Sequence, residues 1–140
     1  ASPEDIRLCR ITQESLYLAL KKVKPGAVFG EIGATIQKFI KKSGRYSIVK
    51  DYCGHGIGKE FHEEPQILHY GKKGEGMEIK EGMTFTIEPM INFGKKEVKL
   101  LPDNWTVVTK DHSLSAQWEH TILVTSNGHE VLTRRPEENL

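Results

Sequence analysis

The sequence has 140 residues, of which 37% are hydrophobic and 28% are charged, and its formal net charge is +1. This length suits one hydrophobic core, so we predict that residues 1–140 form a single domain. A net charge this close to zero excludes the strongly basic surface that nucleic acids select, and no nucleic-acid partner is expected.

Two helices are predicted at the start of the chain. Ser2 is a good N-cap and Pro3 suits the first helical position, and apolar residues then follow at roughly helical spacing until Pro25-Gly26. These apolar residues are Ile6, Cys9, Leu16, Ala19, Leu20 and Val23. A second helix is predicted over residues 30–43, with Gly44 as its C-cap glycine.

Strands are predicted after Gly44, where the apolar residues change to a spacing of two. The Gly-, Pro- and charge-rich residues 51–82 are predicted to be long loops. The predicted strands are residues 46–49, 83–88, 105–109, 118–124 and 130–133, the last two joined by a hairpin turn at Ser126-Asn127-Gly128. Two helices followed by four or five antiparallel strands indicate an α+β fold.

The two cysteines, Cys9 and Cys53, are far apart and form no CxxC pair, which indicates a reducing compartment rather than a disulfide framework. No apolar run approaches the roughly 20 residues that a membrane-spanning helix needs, and no signal-peptide pattern appears. We therefore expect a cytoplasmic location and no membrane partner.

Three residues are the best candidates for chemistry. Glu88 ends an apolar strand before Pro89, and Glu119 is predicted to lie inside another strand, where a carboxylate is costly unless it is paired, protonated or bound to a cation. His55 lies between glycines, which leave the backbone free and the imidazole accessible. His, Glu and Glu form a nitrogen and oxygen ligand set suited to Zn, Mn, Fe or Co. Alternatively, both carboxylates point to water and His55 is an exposed loop residue.

Rival motifs fail on their spacing. His62-Glu63-Glu64-Pro65-Gln66 begins like the zinc motif HExxH, but it lacks the second histidine and contains a proline that breaks the required helix. The glycines around His55 match neither a dinucleotide fingerprint nor a P-loop, and no GxSxG motif is present. A metal-dependent hydrolase remains the best chemical class.

Taken together, these residues resemble the C-terminal half of the type I methionine aminopeptidases, metal enzymes with the pita-bread fold. The likeness runs from about residue 7 to about residue 135. The matching segments are Tyr52-Cys53-Gly54-His55-Gly56-Ile57-Gly58, Phe61-His62-Glu63-Glu64-Pro65, Phe85-Thr86-Ile87-Glu88-Pro89-Met90 and Ser115-Ala116-Gln117-Trp118-Glu119-His120-Thr121.

The resemblance implies roles for seven residues. The implied metal ligands are His55, Glu88 and Glu119, and His62 is the implied catalytic histidine, which contacts the scissile peptide and stabilises its developing negative charge. The implied walls of the pocket for the substrate's methionine side chain are Phe61, Met90 and Trp105. The implied partner is a peptide or nascent chain with an N-terminal methionine.

The sequence departs from the family in its first residues. Residues 1–6 resemble the start of a full family member but join directly to Arg7, which belongs after a hairpin that carries two Asp ligands. The four aspartates of this chain, Asp5, Asp51, Asp103 and Asp111, do not lie in that context. We therefore expect a family member whose N-terminal half is deleted, with at most one divalent ion (Co, Mn, Fe or Zn) and weak or no methionine release.

Three functions remain open at this point. One is a metal-dependent aminopeptidase, and another is a non-catalytic half-domain that binds metal weakly or not at all. The third is a binding module for peptide N-termini or the ribosome. The family fold consists of two halves related by approximate two-fold symmetry, so a lone half exposes apolar surface and is expected to form a C2 homodimer.

Overall fold

Two helices begin the chain, and local capping residues set their ends. A computed structural model describes residues 2–104 and 106–140. Helix α1 is Pro3–Leu20; the Ser2 hydroxyl accepts a hydrogen bond from the Asp5 amide, and the Asp5 carboxylate accepts one from the Ser2 amide. Helix α2 is Phe29–Ser43 and ends at Gly44, whose φ of 135° favours glycine. Both predicted helices are confirmed.

The buried stripe of α1 differs from the predicted one. Leu8 and Ile11 are buried in the core together with Leu16, Ala19 and Leu20. Ile6 is 49% exposed and Cys9 is also exposed, so their assignment to the apolar face was wrong. At about 100° per residue, Ile6 lies well outside the stripe that Leu8 and Ile11 begin.

The strands form three antiparallel sheets. The strands are β1 Ser47–Ile48, β2 Gly54–Gly56, β3 Glu63–Ile67, β4 Thr84–Ile87, β5 Met90–Asn92, β6 Val98–Leu100, β7 Val107–Thr109, β8 Ser115–Gln117, β9 His120–Val124 and β10 His129–Val131. The largest sheet has the order β10-β9-β4-β2-β3; a second has the order β1-β5-β8, and β6 pairs with β7.

The core lies between the helices and one face of the largest sheet. Phe85 and Ile87 of β4 are buried beside Ile122 and Val124 of β9, in one cluster with the apolar residues of both helices. The ring of Phe29 in α2 packs edge-on against Phe85, with 5.0 Å between the centroids. The predicted architecture, α+β with two helices on an antiparallel sheet, is confirmed.

The strand predictions were wrong in three respects. First, the described residues contain ten strands rather than the four or five predicted. Residues 51–82 are not all loop, because they contain β2 and β3, which pair with each other, while β2 also pairs with the distant β4. The glycines of β2 and the proline of β3 hide both strands from a local pattern. Glu119 lies between β8 and β9 rather than inside a strand. The Ser126-Asn127-Gly128 turn is confirmed, since it joins β9 to β10. In the part of the chain that the structure describes, no helix is long and apolar enough to cross a membrane.

Candidate metal centre

The strand register brings His55, Glu88 and Glu119 to one face of the largest sheet. Ile87 of β4 is opposite His120 of β9, so the next residue after β4, Glu88, is opposite the residue before β9, Glu119. In the same ladder scheme, Gly56 of β2 is opposite Phe85, which places His55 opposite Thr86. Opposite residues of antiparallel strands point to the same side, and so do residues two apart. His55, Thr86, Glu88 and Glu119 therefore share a face, away from the helices.

The imidazole of His55 presents its Nε2 atom to this group. Its Nδ1 lies 3.1 Å from the carbonyl oxygen of Gly56, which can only accept a hydrogen bond, so Nδ1 carries a proton. In the neutral ring Nε2 then bears the free lone pair, and it lies 3.4 Å from Oε2 of Glu88. A histidine that donates its second N–H to a backbone carbonyl is a common arrangement at metal sites.

Glu88 is held at both its side chain and its backbone. The Thr86 hydroxyl donates to Oε2 of Glu88 at 2.8 Å and accepts from the His55 amide at 3.0 Å. The Glu88 amide donates to Nε2 of His69 at 3.1 Å. Burial lowers the pKa of His69 to about 4, so this ring is neutral and able to accept. Two neighbouring strands and one buried histidine thus fix the position of Glu88.

The proximity of Glu88 and Glu119 creates a site with excess negative charge. Burial is the main cause that raises the pKa of Glu88; the nearby Glu119 raises it further, while the hydrogen bond from Thr86 and the His55 ring act in the opposite direction. A nearby like charge disfavours ionisation of a carboxyl group, and a bound cation would offset this repulsion. Glu119 itself is exposed, so the group opens to solvent.

The geometry of the three side chains fits a divalent ion. One ligand atom from each of His55, Glu88 and Glu119 lies within 4.8 Å of the other two. Two ligands about 2.1 Å from a tetrahedral ion lie about 3.4 Å apart, the same separation as between His55 and Glu88. One imidazole nitrogen and two carboxylates form a ligand set used by Zn, Mn, Fe and Co. The chemistry and spacing of the donors therefore fit a metal.

His62 lines an open cleft of about 470 Å³ beside these ligands. Its other lining residues are His55 and Glu88, residues 51–53 of the preceding loop, and Glu63, Glu64 and Gln66 of β3. The His62 ring centroid is 4.2 Å from that of His55, and the exposed Phe61 ring is 5.6 Å from it. The structure thus brings His62 and Phe61 next to the candidate metal centre.

The other two residues predicted for the methionine pocket are Met90 and Trp105. Met90 lies on β5 and lines a separate cleft with residues of β7 and β8. Trp105 lies outside the described residues. The implied roles of Phe61, Met90 and Trp105 in binding a methionine side chain stay predictions.

Sequence reasoning missed three features of this centre. Thr86 had a usable signal, because a residue two positions before Glu88 on an alternating strand shares its face. His69 had none, because its contact with Glu88 joins a segment that was predicted to be loop. The glycines beside His55 permit close strand packing: a Cβ on Gly54 would lie 2.2 Å from the Thr86 carbonyl oxygen, and one on Gly56 would lie 2.3 Å from that of Glu64.

Comparison with known proteins identifies the family. Residues 1–126 match metallopeptidase family M24. The chain is 63% identical over 134 residues to the methionine aminopeptidase of Escherichia coli K12, which covers 96% of this chain and 50% of the relative. The fold resembles the crystal structure of methionine aminopeptidase from Rickettsia prowazekii with a TM-score of 0.92 and 48% identity, over 96% of this chain and 54% of that one.

A second crystal structure, that of methionine aminopeptidase from Thermotoga maritima, has the same TM-score of 0.92 at 43% identity, over 96% of this chain and 54% of that one. The chain thus spans about half the length of the relatives it matches. The family match over most of the chain and the shared fold agree with the metal-binding geometry described above. The chain therefore belongs to metallopeptidase family M24 and corresponds to the C-terminal half of the type I methionine aminopeptidases.

Proposed function

We propose that this chain supplies half of a metal-dependent aminopeptidase centre that removes methionine from peptide N-termini, and that alone it does so weakly or not at all. The observation that carries the proposal is the convergence of His55, Glu88 and Glu119 within 4.8 Å on one face of the sheet. The similarity to methionine aminopeptidases supports the substrate class.

In this proposal the three side chains hold at most one divalent ion per chain. Co, Mn, Fe and Zn all suit the donor set, since each accepts one imidazole and two carboxylates. A bound ion would supply Lewis acidity, which lowers the pKa of water and polarises a carbonyl. Burial raises the pKa of Glu88 and the proximity of Glu119 raises it further, whereas a bound cation would favour the ionised carboxylate and lower that pKa.

The remaining roles belong to residues on the rim of the cleft. His62 is exposed and its ring lies against that of His55, so it can donate a hydrogen bond to the oxygen of a carbonyl placed at the ligands. Phe61 is 68% exposed beside it and offers an apolar surface to a thioether side chain. Because this group of residues acts as a unit, a chain with only part of it is expected to be a poor catalyst.

We also propose that the face around the cleft is covered by a second copy of this chain in a C2 homodimer. Tyr52 and Phe61 expose apolar rings beside the ligands, and the chain spans only half the length of its relatives. An isologous dimer would bury these rings and gather two sets of ligands near one axis. Light scattering that reports only monomer at high protein concentration would exclude this dimer. We further expect a cytoplasmic location, in keeping with the two free cysteines.

The decisive experiment measures methionine release from a short Met-Gly-type peptide with excess Mn²⁺ or Co²⁺. The test variant is Glu119→Gln, and the matched control is Glu130→Gln, which removes the same charge from an exposed position on β10. Methionine release that is lost in Glu119→Gln and retained in Glu130→Gln would mean that this chain alone is sufficient for catalysis at the proposed centre.

The alternative is a non-catalytic half-domain, and a binding measurement distinguishes it. Calorimetric titration with Co²⁺ is performed on the same proteins. If Co²⁺ binding depends on Glu119 but no methionine is released, the chain is a non-catalytic half-domain that binds metal. Equal Co²⁺ binding by the wild type and Glu119→Gln would reject the proposed centre altogether.

A further inference from the structure

The residues on both sides of Glu119 are held by one short stretch near the end of the chain, Thr133–Glu138, here termed the C-terminal segment. The guanidinium of Arg135 lies 4.7 Å from the ring centroid of Trp118, the residue before Glu119. The residue after it, His120, contacts Glu138 through Nε2 at 2.9 Å and Thr133 through Nδ1 at 2.8 Å.

A fourth contact fixes the backbone of β9. The Thr121 amide donates to the Thr133 hydroxyl at 3.0 Å. Glu119 is thus bracketed by residues that the C-terminal segment contacts in three different ways: a cation over an aromatic ring, two hydrogen bonds to a histidine ring and one hydrogen bond to the main chain.

The contact between His120 and Glu138 is buried and fully hydrogen-bonded. The side chains of His120 and Glu138 are each only 2% exposed. Glu138 also accepts hydrogen bonds from the Tyr17 hydroxyl of α1 and, at 2.9 Å, from the Arg135 amide. A carboxylate buried this deeply is tolerated when its acceptors are satisfied, as they are here, and removing one of its partners is costly. The pair therefore holds β9 to the C-terminal segment and to α1.

Glu119 has less local support than the other two ligands. Thr86 makes a hydrogen bond to the His55 amide and another to the Glu88 side chain, and His69 holds the Glu88 backbone. Glu119, by contrast, is exposed and precedes β9, whose pairing with β4 begins at His120. The direction of its side chain depends on how the adjacent residues are fixed, because neighbours along an extended chain point to opposite faces.

We infer that the C-terminal segment is a positioning element for the metal ligand Glu119, and that it acts by anchoring His120 through Glu138 and Thr133. With His120 held on the helix side of the sheet, Glu119 is directed to the opposite side, where His55 and Glu88 lie. Glu138 and Thr133 are positioning residues, since they touch neither metal nor substrate. This inference rests on the proposed metal centre.

The test compares Glu138→Gln with Glu137→Gln. Glu137 is the adjacent carboxylate in sequence and is exposed, so the two variants change the charge equally and differ in the contact with His120. Tyr17→Phe is a milder second variant, because it removes one donor to Glu138 and leaves the contact between Glu138 and His120 in place. Two properties are measured: the Co²⁺ dissociation constant with the Co²⁺ absorption spectrum, and hydrogen exchange of the Trp118–Thr121 amides without metal.

We expect Glu138→Gln to weaken Co²⁺ binding about tenfold, which is the lower end of the loss in affinity seen when outer partners of metal ligands are removed. The Co²⁺ absorption spectrum should also change. The amides of Trp118–Thr121 should exchange faster in this variant. Tyr17→Phe should change both properties in the same direction and by less. Glu137→Gln should match the wild type in both.

The outcomes separate this inference from the proposed function. Co²⁺ binding and amide exchange in Glu138→Gln equal to those of Glu137→Gln would overturn the inference, even if Glu119→Gln abolishes binding. Faster exchange with unchanged Co²⁺ affinity would also overturn it, because the segment would then be structural only. Equal Co²⁺ binding by the wild type and Glu119→Gln would overturn the proposed function and, with it, the role of the segment at a metal.

Discussion

Replacing Thr86 by valine should weaken the metal centre without altering its ligands. Thr86 is fully buried, and its single hydroxyl joins two of the ligands: it accepts from the His55 amide at 3.0 Å and donates to Glu88 Oε2 at 2.8 Å. Valine has nearly the same shape and lacks the hydroxyl, so the substitution removes both hydrogen bonds and leaves the packing volume almost unchanged.

The expected cost follows from these two bonds. A hydrogen bond to a charged group contributes about 1.5–3 kcal/mol, and a buried amide left without its acceptor costs about 1–3 kcal/mol. The greater hydrophobicity of valine offsets part of this sum, about 1 kcal/mol. We expect Thr86→Val to lower the free energy of unfolding by about 2 kcal/mol and to weaken Co²⁺ binding about tenfold. The pKa of Glu88 should also rise, because the Thr86 hydrogen bond lowers it.

Urea unfolding without metal and calorimetric titration with Co²⁺ measure the two effects. Thr84→Val is the matched control: it makes the same change two residues earlier on β4, and it should alter the free energy of unfolding by no more than about 0.5 kcal/mol. If Thr86→Val unfolds and binds Co²⁺ as Thr84→Val does, the hydroxyl does not organise the site and the reasoning is refuted.

Three further predictions concern acid stability, strand packing and metal linkage. Hydrogen bonds from Tyr17, His120 and the Arg135 amide outweigh the effect of burial and hold the pKa of Glu138 at about 2, below its ordinary value of 4.5. The stabilisation of the fold by ionised Glu138 is therefore complete above about pH 4.5 and is lost as the pH falls towards 2. Between about pH 6 and about pH 3, the free energy of unfolding measured in urea should fall by about 2 kcal/mol more in the wild type than in Glu138→Gln. Parallel plots of this free energy against pH for the two proteins would contradict the prediction. Gly54→Ala should lower the free energy of unfolding by about 2–3 kcal/mol, because its Cβ would lie 2.2 Å from the Thr86 carbonyl oxygen. Gly128 has open space around it, so Gly128→Ala should have little effect. Thermal denaturation of both variants measures the difference. Co²⁺ at about 100 times its dissociation constant should raise the free energy of unfolding by about 2.7 kcal/mol, reversibly with a chelator; an equal rise in Glu88→Gln would argue against the site.

Both helices could be predicted from sequence because their signals are local. The Ser2–Asp5 capping box lies within four residues, and Gly44 ends α2 where an apolar periodicity of about 3.6 stops. The strand at residues 83–88 was equally evident from its alternation. The side of α1 that faces the core was less evident from the sequence. Ile6 was assigned to it wrongly, because helical spacing alone does not say which stripe of a helix another element will cover.

The candidate metal ligands were predicted from their chemical type and from the family resemblance, whereas the groups that hold them in place could not be predicted. His55, Glu88 and Glu119 lie in three segments that meet only when β2, β4 and β9 pair. Long stretches of chain separate β2 from β4 and β4 from β9. β2 and β3 escaped prediction because a strand rich in glycine and proline is specified by its partners rather than by its own propensity.

The sequence by itself determined the two helices, the strongest strands, the family resemblance and the types of residue able to bind a metal. Tertiary structure decided which atoms of these residues meet, which tautomer His55 adopts and which polar groups hold the ligands in place. The bond between Tyr17 and Glu138 spans 121 positions of the chain, and that between His69 and Glu88 spans 19. Such contacts leave no periodic trace in a sequence, because they depend on how separate elements pack rather than on the preferences of neighbouring residues.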